Sequence, residues 1–179
     1  MPGQRGQRRG PRRDGPQREE GGDELEQKVL DLSRVTRVTA GGKRMRFRAC
    51  IAIGDGRGHV GVGLAKGADV SSAIAKATTK AKKEMLEVPI VHETIPYDII
   101  MKFKAAKVLL KPAPKGTGII AGGVVRLILI LAGVPNVAAK MLGSSNRVTN
   151  AKATMAALAA LRARAEIRRT KSEIRNKLE

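Results

Sequence analysis

Aromatic residues are almost absent from this chain of 179 residues: Phe47, Phe103 and Tyr97 are the only three, and there is no tryptophan. Aromatic rings usually supply much of the buried area of a protein core. A core built from this sequence must therefore consist of valine, isoleucine, leucine and alanine, packed in small layers. The length suits one ordinary domain or two small ones.

Positive charge is the second constraint. The chain has 35 Lys and Arg against 16 Asp and Glu, a net charge of +19. Net charge informs about partners rather than about the fold, and this value predicts a polyanionic partner. The longest apolar run, residues 119–134, contains Arg126 and is shorter than the about 20 apolar residues of a membrane-spanning helix. With no apolar stretch after the N-terminus, we expect no membrane association and a cytoplasmic location.

Composition divides the chain into four parts. Residues 1–24 are rich in Arg and Gly and almost free of apolar residues, so we expect a disordered tail. It is either a solubilising tail or an Arg-rich arm that folds on RNA. Two folded units are predicted at residues 25–88 and 89–165, followed by a charged tail at residues 166–179.

The first unit is predicted to have the order β-β-β-α. Residues 45–53 alternate between apolar and mostly polar side chains, as in a half-buried strand, and residues 60–64 alternate again after a glycine-rich turn. An earlier strand spans residues 33–39, and the three-residue spacing of Val35 and Val38 predicts a bulge there. Asp69 is the expected N-cap of a helix whose apolar face is Val70, Ile74, Ala77, Ala81 and Met85.

The second unit is predicted to have the order β-β-β-α-β-α, which makes the protein α+β. Its strands include residues 99–103, 108–110 and 137–142. One helix ends at Leu131, where Gly133 and Pro135 stop it. The last helix is capped by Ser144, Ser145 or Asn146 and runs to about Ala165.

Catalytic motifs are weak in this sequence. Gly56-x-Gly58-x-x-Gly61 matches the dinucleotide fingerprint formally, but a strand follows where that motif requires a helix. Cys50 is the only cysteine, and lone cysteines are usually small buried hydrophobes. Neither His59 nor His92 has a convincing catalytic partner. We expect no enzyme activity, no cofactor and no metal.

The mode of nucleic-acid binding follows from the same composition. Sequence-specific single-strand binders stack bases on aromatic side chains, and this chain has too few aromatics for that. No zinc finger, basic zipper or clear helix-turn-helix is present. The β-β-β-α unit instead matches the later part of a double-stranded-RNA-binding domain. Recognition of structured RNA through phosphates, 2′-hydroxyls and shape is therefore predicted, and a free RNA chaperone that uses this module is one hypothesis.

Candidate RNA contacts combine glycines that permit close approach to phosphate with basic residues of the first unit. They are Gly41, Gly42, Lys43, Arg44, Arg46, Arg48, Arg57, Lys66, Lys76, Lys80 and Lys83.

A glycine-rich segment, residues 116–123, precedes a helix. It could bind phosphate at the helix N-terminus, although we favour close packing of the helix or a protein interface. Its candidate residues are Gly116, Thr117, Gly118, Gly122, Gly123 and Arg126.

Long ordered motifs in both units resemble the small-subunit ribosomal protein S-five family. They are Gly41-Gly42-Lys43-Arg44-x-Arg46-Phe47 and Gly54-Asp55-Gly56-x-Gly58-x-Val60-Gly61 in the first unit. In the second unit they are Gly116-Thr117-Gly118-Ile119-Ile120-Ala121-Gly122-Gly123-x-x-Arg126 and Gly133-Val134-x-Asn136-Val137. The resemblance covers about residues 25–162.

The resemblance implies a structural component of the small ribosomal subunit that binds 16S rRNA where head meets body. It further implies contacts with the ribosomal proteins S-four and S-eight and a position lining the side where mRNA enters. The loop at residues 40–44 would reach rRNA. The segment at residues 116–123 with Arg126 would lie at the S-four interface and tune decoding accuracy. No homo-oligomer is implied.

Overall fold

A long antiparallel hairpin begins the part of the chain that the computed structural model describes, residues 25–161. β1 (Glu26–Thr39) pairs with β2 (Gly42–Gly54), and β2 pairs with β3 (His59–Gly67). α1 (Val70–Lys83) follows, and the short β4 (Leu86–Glu87) then pairs with β3. The predicted β-β-β-α order is confirmed, with β4 added after the helix.

The second sheet has the strand order β5-β6-β8-β7. Its elements are β5 (Ile99–Phe103), β6 (Ala106–Pro112), β7 (Ile119–Ile120), α2 (Gly123–Leu131), β8 (Val137–Met141) and α3 (Arg147–Ala160). β7 pairs with β8 in parallel, whereas the other pairs are antiparallel. The α+β class and the order β-β-β-α-β-α are confirmed.

The first strand differs from its prediction in two respects. It begins at Glu26 instead of residue 33, and its register shifts between Val29 and Asp31, whereas pairing is unbroken from Val35 to Val38. Val35 is partly buried and Val38 is exposed, so their spacing reflects two different environments. The predicted bulge at this point is therefore wrong. The register shift between Val29 and Asp31 leaves Leu30 out of the regular pairing, and Leu30 is buried in the core.

The last helix is shorter than predicted. Asn146 is its N-cap, and the Asn146 side chain accepts hydrogen bonds from the backbone N–H groups of Val148 and Thr149. The helix ends at Ala160 instead of near Ala165, because the backbone at Leu161 is extended. Tyr97 Oη donates a hydrogen bond to the carbonyl oxygen of Ala160 at 3.1 Å, which satisfies one terminal acceptor. The predictions for residues 1–24 and 162–179 lie outside the described residues.

Small residues allow α1 to lie close to the first sheet. Ala73, Ala77 and Ala81 are fully buried against Ala49, Ile51 and Ile53 of β2. The expected helix face contained Ala77 and Ala81 but missed Ala73. Beneath this stripe, a Cβ added to Gly63 of β3 would overlap the carbonyl oxygen of Ala77. Glycine at this position is therefore a condition for the observed helix-to-sheet distance.

The opposite face of the same sheet joins the core of the second unit. Leu30, Cys50 and Ala52 belong to one buried cluster together with residues of α2 and α3, among them Ile128 and Leu158. The second half of β2 is therefore buried on both faces, whereas its alternation predicted one buried face. Cys50 and Ala52 are small side chains, and both are buried where the helices cover the sheet. Among residues 25–161, no helix is long and apolar enough to span a bilayer.

The turn between β2 and β3 is a second point of contact between the two units. The backbone N–H of Gly56 donates to the carbonyl oxygen of Leu131, at the end of α2, at 3.0 Å. Asp55 holds the turn: its carboxylate accepts hydrogen bonds from the N–H groups of Arg57 at 2.7 Å and His59 at 3.0 Å, and lies 2.6 Å from His59 Nδ1. Burial acts to raise the pKa of Asp55, but these donors together hold it below its ordinary value of 3.8.

Replacing Gly63 tests the close packing of α1. Gly63→Ala should lower the free energy of unfolding by about 2–3 kcal/mol, because the added methyl group must push α1 away from β3. Urea denaturation measures this loss. The matched control is Gly41→Ala in the hairpin turn, where an added Cβ meets no atom within 4 Å. If both variants unfold at the same urea concentration, the packing explanation is wrong.

Replacing Asp55 tests the electrostatics of the turn. A lowered pKa means that the folded state resists protonation, so the charge of Asp55 stabilises the fold fully above about pH 4 and less as pH falls through the folded pKa. Asp55→Asn should therefore be less stable than the parent at pH 7, and the difference should shrink at pH 3. Asp69→Asn removes a carboxylate that makes no capping hydrogen bond, and its effect should be smaller. A difference for Asp55→Asn that does not change with pH would contradict the assignment.

Candidate nucleic-acid interface

Basic residues gather on the face of the first sheet that α1 does not cover. Residues opposite each other in paired strands share a face. Arg46 lies opposite Val35, Arg44 opposite Arg37, and Lys66 opposite Arg48. These positions alternate with the β2 residues that α1 covers. We call the following set the cationic sheet face: Arg37, Arg44, Arg46, Arg48 and Lys66.

A groove of about 350 Å³ runs over this face. It is lined by Val35, Thr36, Arg37, Thr39, Arg44, Arg46 and Lys66, and none of these is acidic. Among the ion pairs of the described residues, none involves the four cations of the groove. The groove therefore offers unneutralised charge in a concave site, where low-dielectric walls focus the field.

Arg48 lies at the inner end of the cationic sheet face and differs from its neighbours. Its side chain is 33% exposed, and its Nη2 atom is 3.5 Å from Asp31 Oδ2. Its Nε atom and Ser33 Oγ, which lies directly across the strand pair, are both buried without a hydrogen-bond partner among the described residues. Of the predicted RNA contacts on this face, Arg48 is the one least accessible from outside.

The hairpin tip extends the basic surface beyond the covered part of the sheet. Thr39 pairs with Gly42 across the two-residue turn, and Thr39 Oγ1 donates a hydrogen bond to the Gly42 carbonyl oxygen at 3.0 Å. Gly42 has a φ of +120°, which favours glycine. Lys43 follows it and is exposed. The tip presents backbone and cations together, although Lys43 and Arg44 lie in β2 and not in the turn where the sequence placed them.

The α1 lysines form a separate surface. Lys76, Lys80 and Lys83 lie along a shallow depression of about 390 Å³ on the outer side of α1. Because α1 covers the opposite face of the sheet, the structure does not bring these lysines together with the cationic sheet face. Lys80 also has a partner, since its Nζ is 3.7 Å from Glu84 Oε1.

Arg57 belongs to neither surface. It lies in the turn after β2, whereas Lys43 lies at the start of β2. A strand of 13 residues places these positions roughly 40 Å apart, at about 3.3 Å per residue. The predicted contacts on the first unit therefore fall in three places, and one small ligand cannot touch all of them.

Residues 116–118 of the glycine-rich segment form a largely exposed loop held at its base, and the segment continues through β7 into α2. Gly116 and Gly118 have φ values of +87° and +71°. The buried Asn136 supports them: its Oδ1 accepts a hydrogen bond from the Gly118 N–H at 3.0 Å, and its Nδ2 donates to the Glu93 carbonyl oxygen at 3.3 Å. Lys115 Nζ also lies 3.1 Å from Glu93 Oε1. The sequence did not predict this support. A polar residue at position 136, directly after Pro135, was a signal for it.

Gly122 and Gly123 do not bring the start of α2 close to a neighbouring backbone. A Cβ added to Gly123 would meet nothing within 4 Å, and one added to Gly122 would meet only the end of the flexible Met141 side chain. That part of the prediction is wrong. Arg126 is exposed in the first turn of α2, so an interaction surface that includes the exposed Thr117 stays a prediction.

Nucleophilic chemistry finds no support in this structure. Cys50 is buried in the core, and burial, with a smaller contribution from Asp31, raises the pKa of its thiol to about 11. A thiol with such a pKa is protonated at neutral pH and is a weak nucleophile. Within residues 25–161, no three His, Cys, Asp or Glu side chains are grouped as metal ligands.

The fold and its basic surfaces define a class: an α+β protein that presents unneutralised cations on a rigid sheet, without aromatic residues for base stacking. Comparison with known families is specific. The family model "Ribosomal protein S5, N-terminal domain" matches residues 25–89, and "Ribosomal protein S5, C-terminal domain" matches residues 101–171. The chain belongs to the ribosomal protein S5 family.

Similar proteins agree with this membership. The chain is 47% identical over 152 residues to the small ribosomal subunit protein uS5 of Lawsonia intracellularis, covering 85% of this chain and 91% of the relative. It is 45% identical over 152 residues to the small ribosomal subunit protein uS5 of Rubrobacter xylanophilus, covering 85% and 76%. The family is a structural, non-enzymatic component of the ribosome. The predictions of a ribosomal protein in the cytoplasm and of no enzyme activity are confirmed.

Proposed function

We propose that this structural constituent of the small ribosomal subunit binds 16S rRNA chiefly through the β1–β2 hairpin and the cationic sheet face. The groove over that face carries the proposal, because it combines Arg37, Arg44, Arg46 and Lys66 with no acidic residue. Arginine donates up to five hydrogen bonds in a planar fork that fits phosphate oxygens. The groove is therefore suited to an RNA backbone.

The hairpin tip completes this contact. Gly41 and Gly42 leave the backbone open, with no atom within 4 Å of an added Cβ, so a phosphate can approach the main chain before Lys43 and Arg44 engage it. Recognition rests on shape and charge, since the groove contains no aromatic residue. A scaffold is favoured over a free RNA chaperone, because models of a ribosomal family match residues 25–89 and 101–171.

The α1 lysines and Arg57 are proposed to contact other rRNA segments. They lie on different sides of the first unit, and a protein placed between several rRNA helices needs basic groups on more than one side. This arrangement supports a role in stabilising the position of head relative to body, beside the path on which mRNA enters.

The exposed loop around Gly116 and Gly118, with Thr117, Gly122, Gly123 and Arg126, is proposed as the interface with protein S-four. Protein S-eight is proposed as a second neighbour. A hydrogen bond from Gly118 to Asn136 fixes the base of the loop, while its outer residues are exposed, as a preformed interface requires. A small change there would alter decoding accuracy by biasing an equilibrium between two states of the subunit.

Charge reversal in the groove tests the rRNA contact. Arg44→Glu with Arg46→Glu should weaken binding to a 16S rRNA transcript about tenfold or more and reduce the salt slope by about 0.7–0.9 per lost phosphate contact. Filter binding across a salt series measures both quantities. The matched control is Lys102→Glu with Lys107→Glu, an equal charge change on two exposed lysines opposite each other on β5 and β6. Equal losses for both pairs would mean that only net charge matters, and would refute the groove.

Replacing Arg126 tests the interface. Arg126→Leu should change the frequency of stop-codon readthrough in cells several-fold while leaving affinity for the rRNA transcript unchanged. Arg126→Lys keeps the charge but not the planar guanidinium, and should have a smaller effect. Unchanged readthrough for Arg126→Leu would contradict the interface, and a large loss of rRNA affinity would assign Arg126 to a phosphate contact.

A further inference from the structure

The outer side of α1 carries positive charge that the helix does not balance. α1 contains four lysines and no acidic residue. Lys80 lies 3.7 Å from Glu84 Oε1, whereas the other three take part in no ion pair within residues 25–161. All four lysines are exposed. We call the following set the α1 basic face: Lys76, Lys80, Lys82 and Lys83.

The described part of the chain begins beside the end of α1. Its first residue, Leu25, packs against the buried cluster that includes Ala81. Two positions later, Gln27 Oε1 accepts a hydrogen bond from Thr78 Oγ1 at 3.2 Å. Lys82 lies one helical turn beyond Thr78, on the same side of α1. The segment that precedes Leu25 therefore enters the fold next to the last turn of α1, where three of the four lysines lie.

The segment directly before Leu25 is acidic. Residues 19–24 read Glu-Glu-Gly-Gly-Asp-Glu and contain four carboxylates without a basic residue, and we call them the acidic segment. Residues 1–18 contain six arginines and a single acidic residue, Asp14. Six residues span at most about 20 Å, and the α1 basic face is about 10 Å long, at about 1.5 Å of rise per residue. The acidic segment can therefore reach the whole of that face.

We propose that the acidic segment binds the α1 basic face in the free protein and leaves it when rRNA binds, which makes it an autoinhibitory contact. This inference rests on the proposed function of the α1 lysines as rRNA contacts. Single exposed ion pairs are weak, but a short tether holds the segment at an effective concentration in the millimolar range. The contact therefore forms within one chain and still yields to a polyanion that binds several surfaces at once.

Other charged parts of the chain fit such a contact less well. Arg46 of the groove is out of reach, because it is opposite Val35, nine positions beyond Glu26, or roughly 30 Å at about 3.3 Å per residue. The arginines of residues 1–18 have the same sign as the α1 basic face. Residues 162–179 contain seven Lys and Arg against three Asp and Glu, so their net charge also has that sign. Charge and reach together favour the acidic segment as the partner of this face.

Zero-length carbodiimide coupling of the dilute, free protein tests the contact, because it joins lysine amines to carboxylates that touch. At low salt, mass spectrometry should find a lysine of the α1 basic face joined to a carboxylate of the acidic segment. The coupling should fall at high salt, because salt screens exposed charges, and when a 16S rRNA transcript saturates the protein. No coupling at low salt, coupling to residues 162–179 instead, or coupling that rRNA leaves unchanged would overturn the proposal.

Neutralising the acidic segment tests the inhibition. The neutralised variant should bind the transcript several-fold more tightly at low salt, because its lysines are free. Its changes are Glu19→Gln, Glu20→Gln, Asp23→Asn and Glu24→Gln. The matched control removes four other carboxylates, all outside residues 25–161: Asp14→Asn, Glu166→Gln, Glu173→Gln and Glu179→Gln. Equal gains from both variants would mean that only net charge matters, and autoinhibition would be wrong.

A double-mutant cycle separates this inference from the proposed function. With the acidic segment neutralised, changing all four lysines of the α1 basic face to glutamine should weaken binding, which tests the rRNA contact alone. With those lysines changed, neutralising the acidic segment should have no effect beyond that of the matched control. A remaining effect would overturn the inhibition and leave the rRNA contact standing. Unweakened binding in the first comparison would overturn the rRNA contact of α1, and the inhibition with it.

Discussion

Close contact between the backbone of β3 and the alanine stripe of α1 is the constraint on which the rest of the structure depends. With only three aromatic residues in the chain, the core cannot fill wide gaps between layers, and the layers must approach one another closely. Gly63 and Ala77 make this approach possible on one face of the sheet. Cys50 and Ala52 make it possible on the other face, where the second unit packs.

The same close packing determines where function can reside. Only the inner half of β2 is buried between the two helical layers, so the outer half and the hairpin tip extend past them as an arm. Arg44 and Arg46 lie on that arm and are exposed, whereas Arg48, two residues further inward, is half-buried beside Asp31. Position along a single strand therefore decides whether an arginine is available to RNA or serves the local packing.

The protein is built for contact in several directions and not for chemistry. Its one thiol is buried and protonated. His59 begins β3 beside Asp55, and His92 lies in a turn. The basic groove and the α1 lysines lie on opposite sides of the first sheet. A rigid body with several such surfaces suits a structural component that joins parts of a large assembly.

The sequence by itself determined the α+β class, most strand and helix positions and the polyanionic partner, because alternation, helical spacing, caps and net charge are local or additive properties. The tertiary structure alone decided which basic residues share a surface. Arg46 and Lys66 are 20 positions apart in the chain yet line one groove, whereas the α1 lysines lie behind the sheet. It also decided the role of Asn136 as a support for the loop at Gly118. Such relations depend on which strands pair and on which face each helix packs, and no local pattern in the sequence contains that information.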